Sequence, residues 1–112
     1  MNYLVTVDSE NLLRGWSLRD TSTLFSYKIE LADRVSAAAI DEKCKIVVVG
    51  SCSGQVRVIN FRSGGVLYEL PRVDKEVTSL KFLNEKSEFW IVGGCWSGKI
   101  VLWTKPADQN HF

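Results

Sequence analysis

WIVGGCWSGKIVLWT, Trp90 to Thr104, decides how this chain is read. Gly93, Gly98 and Lys99 fit the phosphate-binding pattern G-x-x-x-x-G-K-[ST] up to its last position. A hydroxyl is needed there to hold magnesium, and Ile100 stands in its place. Such a loop also needs a helix directly after the lysine, because the helix's free N-terminal amides cradle the phosphates. Lys99 leads instead into a β-branched and aromatic run, IVLWT. The stretch therefore reads as two strands joined by a glycine-bearing turn.

The same pattern occurs twice more. At a shift of 44, VVVGSCSGQVRVIN (Val47 to Asn60) places Gly50 on Gly94, Ser53 on Ser97 and Gly54 on Gly98. Val56, Val58 and Ile59 then meet Ile100, Leu102 and Trp103. A weaker copy lies 43 residues earlier, in LVTVDSENLLRGWSL, where Val7, Asp8, Asn11, Leu13 and Trp16 take the places of Gly50, Ser51, Gly54, Val56 and Ile59. Flanking segments repeat too. RVSAAAID matches EVTSLKFL at a shift of 42, and Leu24 and Phe25 stand opposite Leu67 and Tyr68. A period of 42 to 44 residues is that of a blade of four short antiparallel strands. Gly54 and Gly98 would supply the positive φ of a tight hairpin.

Read as strands, the chain holds about ten, with one complete unit between two incomplete ones. The first unit contains YLVTV, LLRGWSL and TLFSYKI. The second contains VSAAAI, KIVVV, QVRVINF and VLYEL, and the third VTSLKF, EFWIV and KIVLW. If the strands of a blade are a to d, the order is bcd, abcd, abc. Residues 1–31 form a partial blade, 32–71 a complete one and 72–104 a second partial one, and 105–112 form a polar tail. The alanines of ADRVSAAAIDEKC favour helix, but their alignment with VTSLKF decides for strand.

Composition narrows the function classes. Net charge is +1, from 14 basic and 13 acidic residues without long blocks, which argues against a nucleic-acid arm or a polybasic membrane patch. No apolar run approaches the roughly 18 to 20 residues of a membrane-spanning helix, and the N-terminal residues lack a signal-peptide pattern. Cys44, Cys52 and Cys95 have no CxxC spacing, so reduced thiols are expected in an intracellular protein.

Catalysis is poorly provisioned. His111 is the only histidine and belongs to the polar tail. The carboxylates lie singly or in pairs between strands, as solvated turns require. No catalytic, cofactor or metal residues are expected. Trp16, Phe61, Phe82 and Trp103 fall at inward phase and are expected in the core. Trp96, in a turn, is expected either under a neighbouring blade or against a partner.

With the repeat in place, the chain resembles the WD40 family of β-propeller repeats, over about Tyr3 to Thr104. Trp16 and Trp103 fall at the tryptophan of the Trp-Asp signature, and GSCSGQVRVIN is similar to the family's Gly-Ser-x-x-Gly turn and following strand. Three departures stand out. Ser17 and Thr104 follow the tryptophans, and Ile59-Asn60 replaces the pair in the middle unit. No Gly-His precedes a first strand. Glu10, Ser53 or Ser97 occupies the place of the turn aspartate. The buried hydrogen-bond network of strong repeats is therefore expected to be absent, with packing in its place. Within the family, VGGCWSGKIVLW and INFRSGGVLYEL resemble repeats of large WD-repeat proteins of cilia and flagella.

The resemblance implies an all-β, incomplete WD40-like propeller; a ten-stranded sandwich is the alternative. A full propeller needs roughly four to eight blades, so neighbouring chains or the rest of a longer propeller are expected as partners. The implied function is a non-enzymatic scaffold for other proteins, without nucleic acid, membrane or cofactor. The alternative is a structural component packed within a cytoskeletal or axonemal complex. The implied setting is cytoplasmic, with cilium or axoneme as the narrower one. Partner binding is expected on loops at one end of the sheets. The candidate residues are Asp8, Glu10, Asp33, Arg34, Cys52, Arg72, Asp74, Lys75 and Trp96.

Overall fold

The computed structural model describes residues 3–83, 86 and 88–105. Among these, ten strands and no helix occur. They are β1 (Tyr3–Val7), β2 (Leu12–Ser17), β3 (Thr23–Lys28), β4 (Val35–Ile40), β5 (Ile46–Ser51), β6 (Val56–Asn60), β7 (Val66–Leu70), β8 (Val77–Phe82), β9 (Phe89–Cys95) and β10 (Ile100–Thr104). Within each sheet, strands consecutive in sequence pair antiparallel, giving β1-β2-β3, β4-β5-β6-β7 and β8-β9-β10. The alanine-rich stretch is strand β4, as its alignment requires. Apart from Lys105, the polar tail, His111 with it, lies outside the described residues.

The repeat extends to the irregularities of the ladders. Register shifts occur at Gly15/Trp16 and again, 43 residues on, at Val58/Ile59. Another pair lies at Val35/Ala37 and Val77/Ser79, 42 residues apart. A bulge adds local twist and re-aims the strand, so equivalent bulges give successive sheets the same shape. The hairpin turns repeat as well. Gly54 and Gly98 have φ of 93° and 90°, and their counterpart Asn11 has 65°. Asparagine is among the few non-glycine residues that enter this region readily.

Packing follows from which sheet has neighbours. Every residue of β5 is buried, because its sheet is covered on both faces, and a continuous apolar run fits that environment. Val47, Val49, Ile59 and Phe61 turn toward the first sheet, where Leu13 and Ile29 complete the core and Tyr3, Val5, Phe25 and Tyr27 close over it. Ile46, Val48, Val56, Val58 and Leu70 turn the other way, against Val77, Ile91, Cys95 and Trp103 of the third sheet. Burying one such aliphatic side chain is worth about 1.5–3 kcal/mol, so these two cores carry the fold. Polar bonds set their alignment. The Tyr27 hydroxyl donates to the Phe61 carbonyl (2.6 Å) and the Ser36 hydroxyl to the Val77 carbonyl (2.6 Å).

Phe61 and Trp103 are in the core as expected, and Phe82 packs half-buried against it. Trp90 is buried, edge-on to Tyr68 at a centroid distance of 5.7 Å. Trp16 departs from expectation. It is only half-buried and belongs to neither core, because its side of the first sheet has no neighbour to cover it.

Candidate interaction surface

The glycine-bearing stretch takes its place first. Gly93 to Cys95 end β9, and Trp96 to Lys99 make the turn into β10. Lys99 leads into a strand, and its ammonium contacts the Asp74 carboxylate at 3.0 Å.

Two classes of connection meet at this end of the sheets: the hairpin turns β1–β2, β5–β6 and β9–β10, and the inter-sheet loops β3–β4 and β7–β8. They are stitched laterally. The Asn11 side chain donates to the Asp33 carbonyl (2.9 Å) and accepts from the Val35 amide (2.8 Å), tying the first turn to the loop that enters the second sheet. The Cys52 amide donates to the Arg34 carbonyl at 2.9 Å. The Gln55 side-chain oxygen accepts from the Ala32 amide at 3.0 Å. Farther along, the Val73 amide donates to the Gly54 carbonyl (3.0 Å) and the Trp96 amide to the Glu76 carbonyl (2.8 Å). All nine candidate residues therefore lie on one continuous loop face.

Gln55 and Lys99 occupy equivalent positions and act alike, each reaching back to the loop that enters its own sheet. Sequence reasoning gave neither a place on this face, and it missed the bridging role of Asn11. The 44-residue equivalence of Gln55 and Lys99 was the available signal.

Electrostatically the face is mixed. Asp74 is its most engaged charge, taking the Lys99 ammonium at 3.0 Å, the Ser97 hydroxyl at 3.0 Å and the Cys95 thiol at 3.4 Å. These donors, Lys99 first and Ser97 next, hold its carboxyl down at about 2, and the same contact raises Lys99. A polar cluster thus stands where a buried network was expected to be missing, but at the surface. Asp8 is lowered by the amides of Leu12 and Glu10, which its carboxylate caps at 3.1 and 2.9 Å. Asp33, Arg34, Arg72 and Lys75 are exposed, and Cys52 is half-buried.

Trp96 is 76% exposed, so among the described residues no neighbouring sheet covers it, and of its two expected placements burial under a blade is not the one seen. It projects from a turn whose backbone is fixed by the Glu76 carbonyl. Among the described residues, no three His, Cys, Asp or Glu side chains converge as a metal site needs, and no helix is long and apolar enough to cross a membrane.

No protein-family model matches the chain, and no curated protein does. Among solved structures it is similar to the computationally designed Ika4 protein, at 23% identity and a TM-score of 0.72, covering 95% of this chain and 62% of that one. It is also similar to the computationally designed Ika8 protein, at 24% identity and a TM-score of 0.70, covering 93% of this chain and 30% of that one. The chain thus spans less than two thirds of the length of either. At these identities the likeness concerns the fold alone.

Proposed function

We propose that this chain is a segment of a WD40-like β-propeller, with strand order bcd, abcd, abc, serving as a non-enzymatic scaffold that docks other proteins in an intracellular assembly. The observation that carries this reading is the loop face, where five connections from three sheets are bonded side to side and present an exposed tryptophan. Loops held by rigid sheets are where partners bind, and an exposed indole fixed at its backbone supplies the large, rigid anchor typical of hot spots. The mixed charge around it suits a protein partner better than a polyphosphate backbone. The propeller reading is supported by the repeat of turns, bulges and inter-sheet cores. It is further supported by likeness to two chains of which this segment fills such different shares.

A photo-crosslinking residue at Trp96 or Arg72 tests the docking surface, with Arg19, in the β2–β3 turn at the opposite end, as the control. A discrete adduct with one protein from positions 96 and 72, absent from position 19, supports the loop face. Equal adducts from both ends reject it.

A second reading, a component packed within a cytoskeletal or axonemal complex, is favoured by the apolar side chains left bare on the outer sheets, among them Leu4, Ile100 and Leu102. In that case contacts spread over sheet faces, and substitutions on the loops leave assembly unchanged.

A further inference from the structure

Each sheet has a rear side, turned to the sheet before it in sequence, and a front side, turned to the one after. Four sets of repeat-equivalent residues on these sides differ in burial with the presence of an adjacent sheet. On the rear sides, Val47 and Ile91 are 1% and 0% exposed, and their equivalent Leu4 is 51% exposed. Ile59 and Trp103 are buried, and their equivalent Trp16 lies outside both cores. On the front sides, Leu13 and Val56 are buried, and their equivalent Ile100 is 76% exposed. Val58 is buried, and its equivalent Leu102 is 47% exposed. At Leu4, Ile100 and Leu102 the side chain is exposed where its equivalents, facing an adjacent sheet, are buried, and Trp16 is half-buried.

The bare surfaces are therefore specific. The front of the third sheet and the rear of the first are the two halves of a contact that the chain makes twice internally. Ladder registers agree with the grouping: Leu4 pairs with Trp16 on the first sheet, and Leu102 pairs with Val92 on the third, where Ile100 lies two residues away on the same side. The indole N–H of Trp16 already donates to Thr6 of its own sheet at 3.0 Å. Covering the ring leaves no orphaned donor there.

From this we infer that the occupant of each bare side is a second copy of the chain, joined front to rear. Ile100 and Leu102 of one copy pack on Leu4 and Trp16 of the other. Both halves of the repeating contact are carried by this one sequence, so a like chain supplies the complementary surface without a new one having to be built. Front and rear sides are unlike, so the contact is heterologous. A pair keeps one bare front and one bare rear, and further copies add until a ring closes.

The inference rests on reading the sheets as consecutive blades, as proposed above, but not on the loop face being a docking site. The test is the solution mass of the full chain across a concentration range, by light scattering, for the wild type, Leu4→Glu and Leu102→Glu. The wild type is expected as a discrete species heavier than the single-chain 12.6 kDa. Each variant alone is expected to fall to the single-chain mass with its β circular-dichroism spectrum intact. If Leu102→Glu does not fold, Ile100→Lys replaces it on the same side. Mixed in equal amounts, the two variants are expected to pair at twice the single-chain mass, because each keeps the half that the other has lost. A wild type of single-chain mass at every concentration overturns the inference. So does a variant that alone keeps the wild-type mass, a mixture that fails to pair, or wild-type aggregation that neither variant relieves. Folded variants that fail to pair leave the scaffold reading standing, since crosslinking at Trp96 judges that separately.

Discussion

The Val73 carbonyl closes over the Cα of Gly54: a Cβ built on that glycine falls 2.2 Å from the oxygen. The same two residues are joined by a 3.0 Å bond from the Val73 amide to the Gly54 carbonyl. Gly98, its repeat equivalent, has nearly the same φ but nothing within 4 Å of the added atom. The two glycines thus separate backbone strain from steric exclusion.

Gly98→Ala should lose about 1 kcal/mol, the cost of a left-handed non-glycine residue. Gly54→Ala should lose about 3 kcal/mol, because the inter-sheet loop must also give way. Urea denaturation of both variants measures the difference. Equal losses would mean that the β7–β8 loop yields freely and does not brace the loop face.

Thr21 is the converse case. It sits at φ 58° in the β2–β3 turn, and its repeat equivalent is Gly64, at φ 78°. A β-branched residue in this region is strained. Thr21→Gly is therefore expected to raise stability by about 0.5–1 kcal/mol, the strain relief outweighing the entropy of the added glycine. A fall in the denaturation midpoint would show that the Thr21 hydroxyl, which donates to the Asp20 carbonyl at 2.6 Å, matters more than the strain.

These turns also show how much was legible in the sequence. Strand positions follow from alternation and the 42 to 44-residue period, so all ten strands, β4 included, could be placed from local chemistry. The gathering of the loops at one end follows from the same repeat. The half-burial of Trp16 and the exposure of Trp96 were not legible, because burial depends on whether a neighbouring sheet is present and not on strand phase. Beyond the equivalence of Gln55 and Lys99, spacing could not reveal Asp74 as the partner, since Lys99 sits 25 residues away along the chain and fits a phosphate-binding pattern up to its last position.

Tyr27 should give the chain an alkaline weakness. Burial raises its hydroxyl to about 12 from 10.0, and in the neutral form it donates to the Phe61 carbonyl across the first inter-sheet core. A raised folded-state value means that the stabilisation is full below pH 10, where both states are protonated. It is lost progressively as pH rises from 10 toward 12, as the unfolded chain ionises first. Tyr27→Phe should flatten the stability profile across that window and lower stability at neutral pH by about 1 kcal/mol, for the lost hydrogen bond. An unchanged alkaline slope in the variant would assign that weakness to other groups.

Asp74 should govern the loop face at acid pH. Its carboxyl titrates at about 2 in the folded chain against an ordinary 3.8, held down by the Lys99 ammonium first and by the Ser97 hydroxyl next. A lowered folded-state value means that the stabilisation is present above about pH 4 and is lost as pH falls toward 2. The group is solvent-exposed, so the consequence is local. The bonds from Lys99 and Ser97 are what hold the β9–β10 turn against the inter-sheet loop from the side-chain direction. Amide exchange at Trp96, whose N–H donates to the Glu76 carbonyl, reads that closure directly. Protection at Trp96 should fall between pH 4 and 2 in the wild type, after correction for the intrinsic exchange rate, and should already be low at pH 6 in Asp74→Asn. Lys99→Met should match the low protection at pH 6, since it removes the leading donor while keeping the side-chain stem. Protection in Asp74→Asn equal to the wild type would mean that the backbone bond alone fixes the turn, and that Trp96 is presented without help from the charges beneath it.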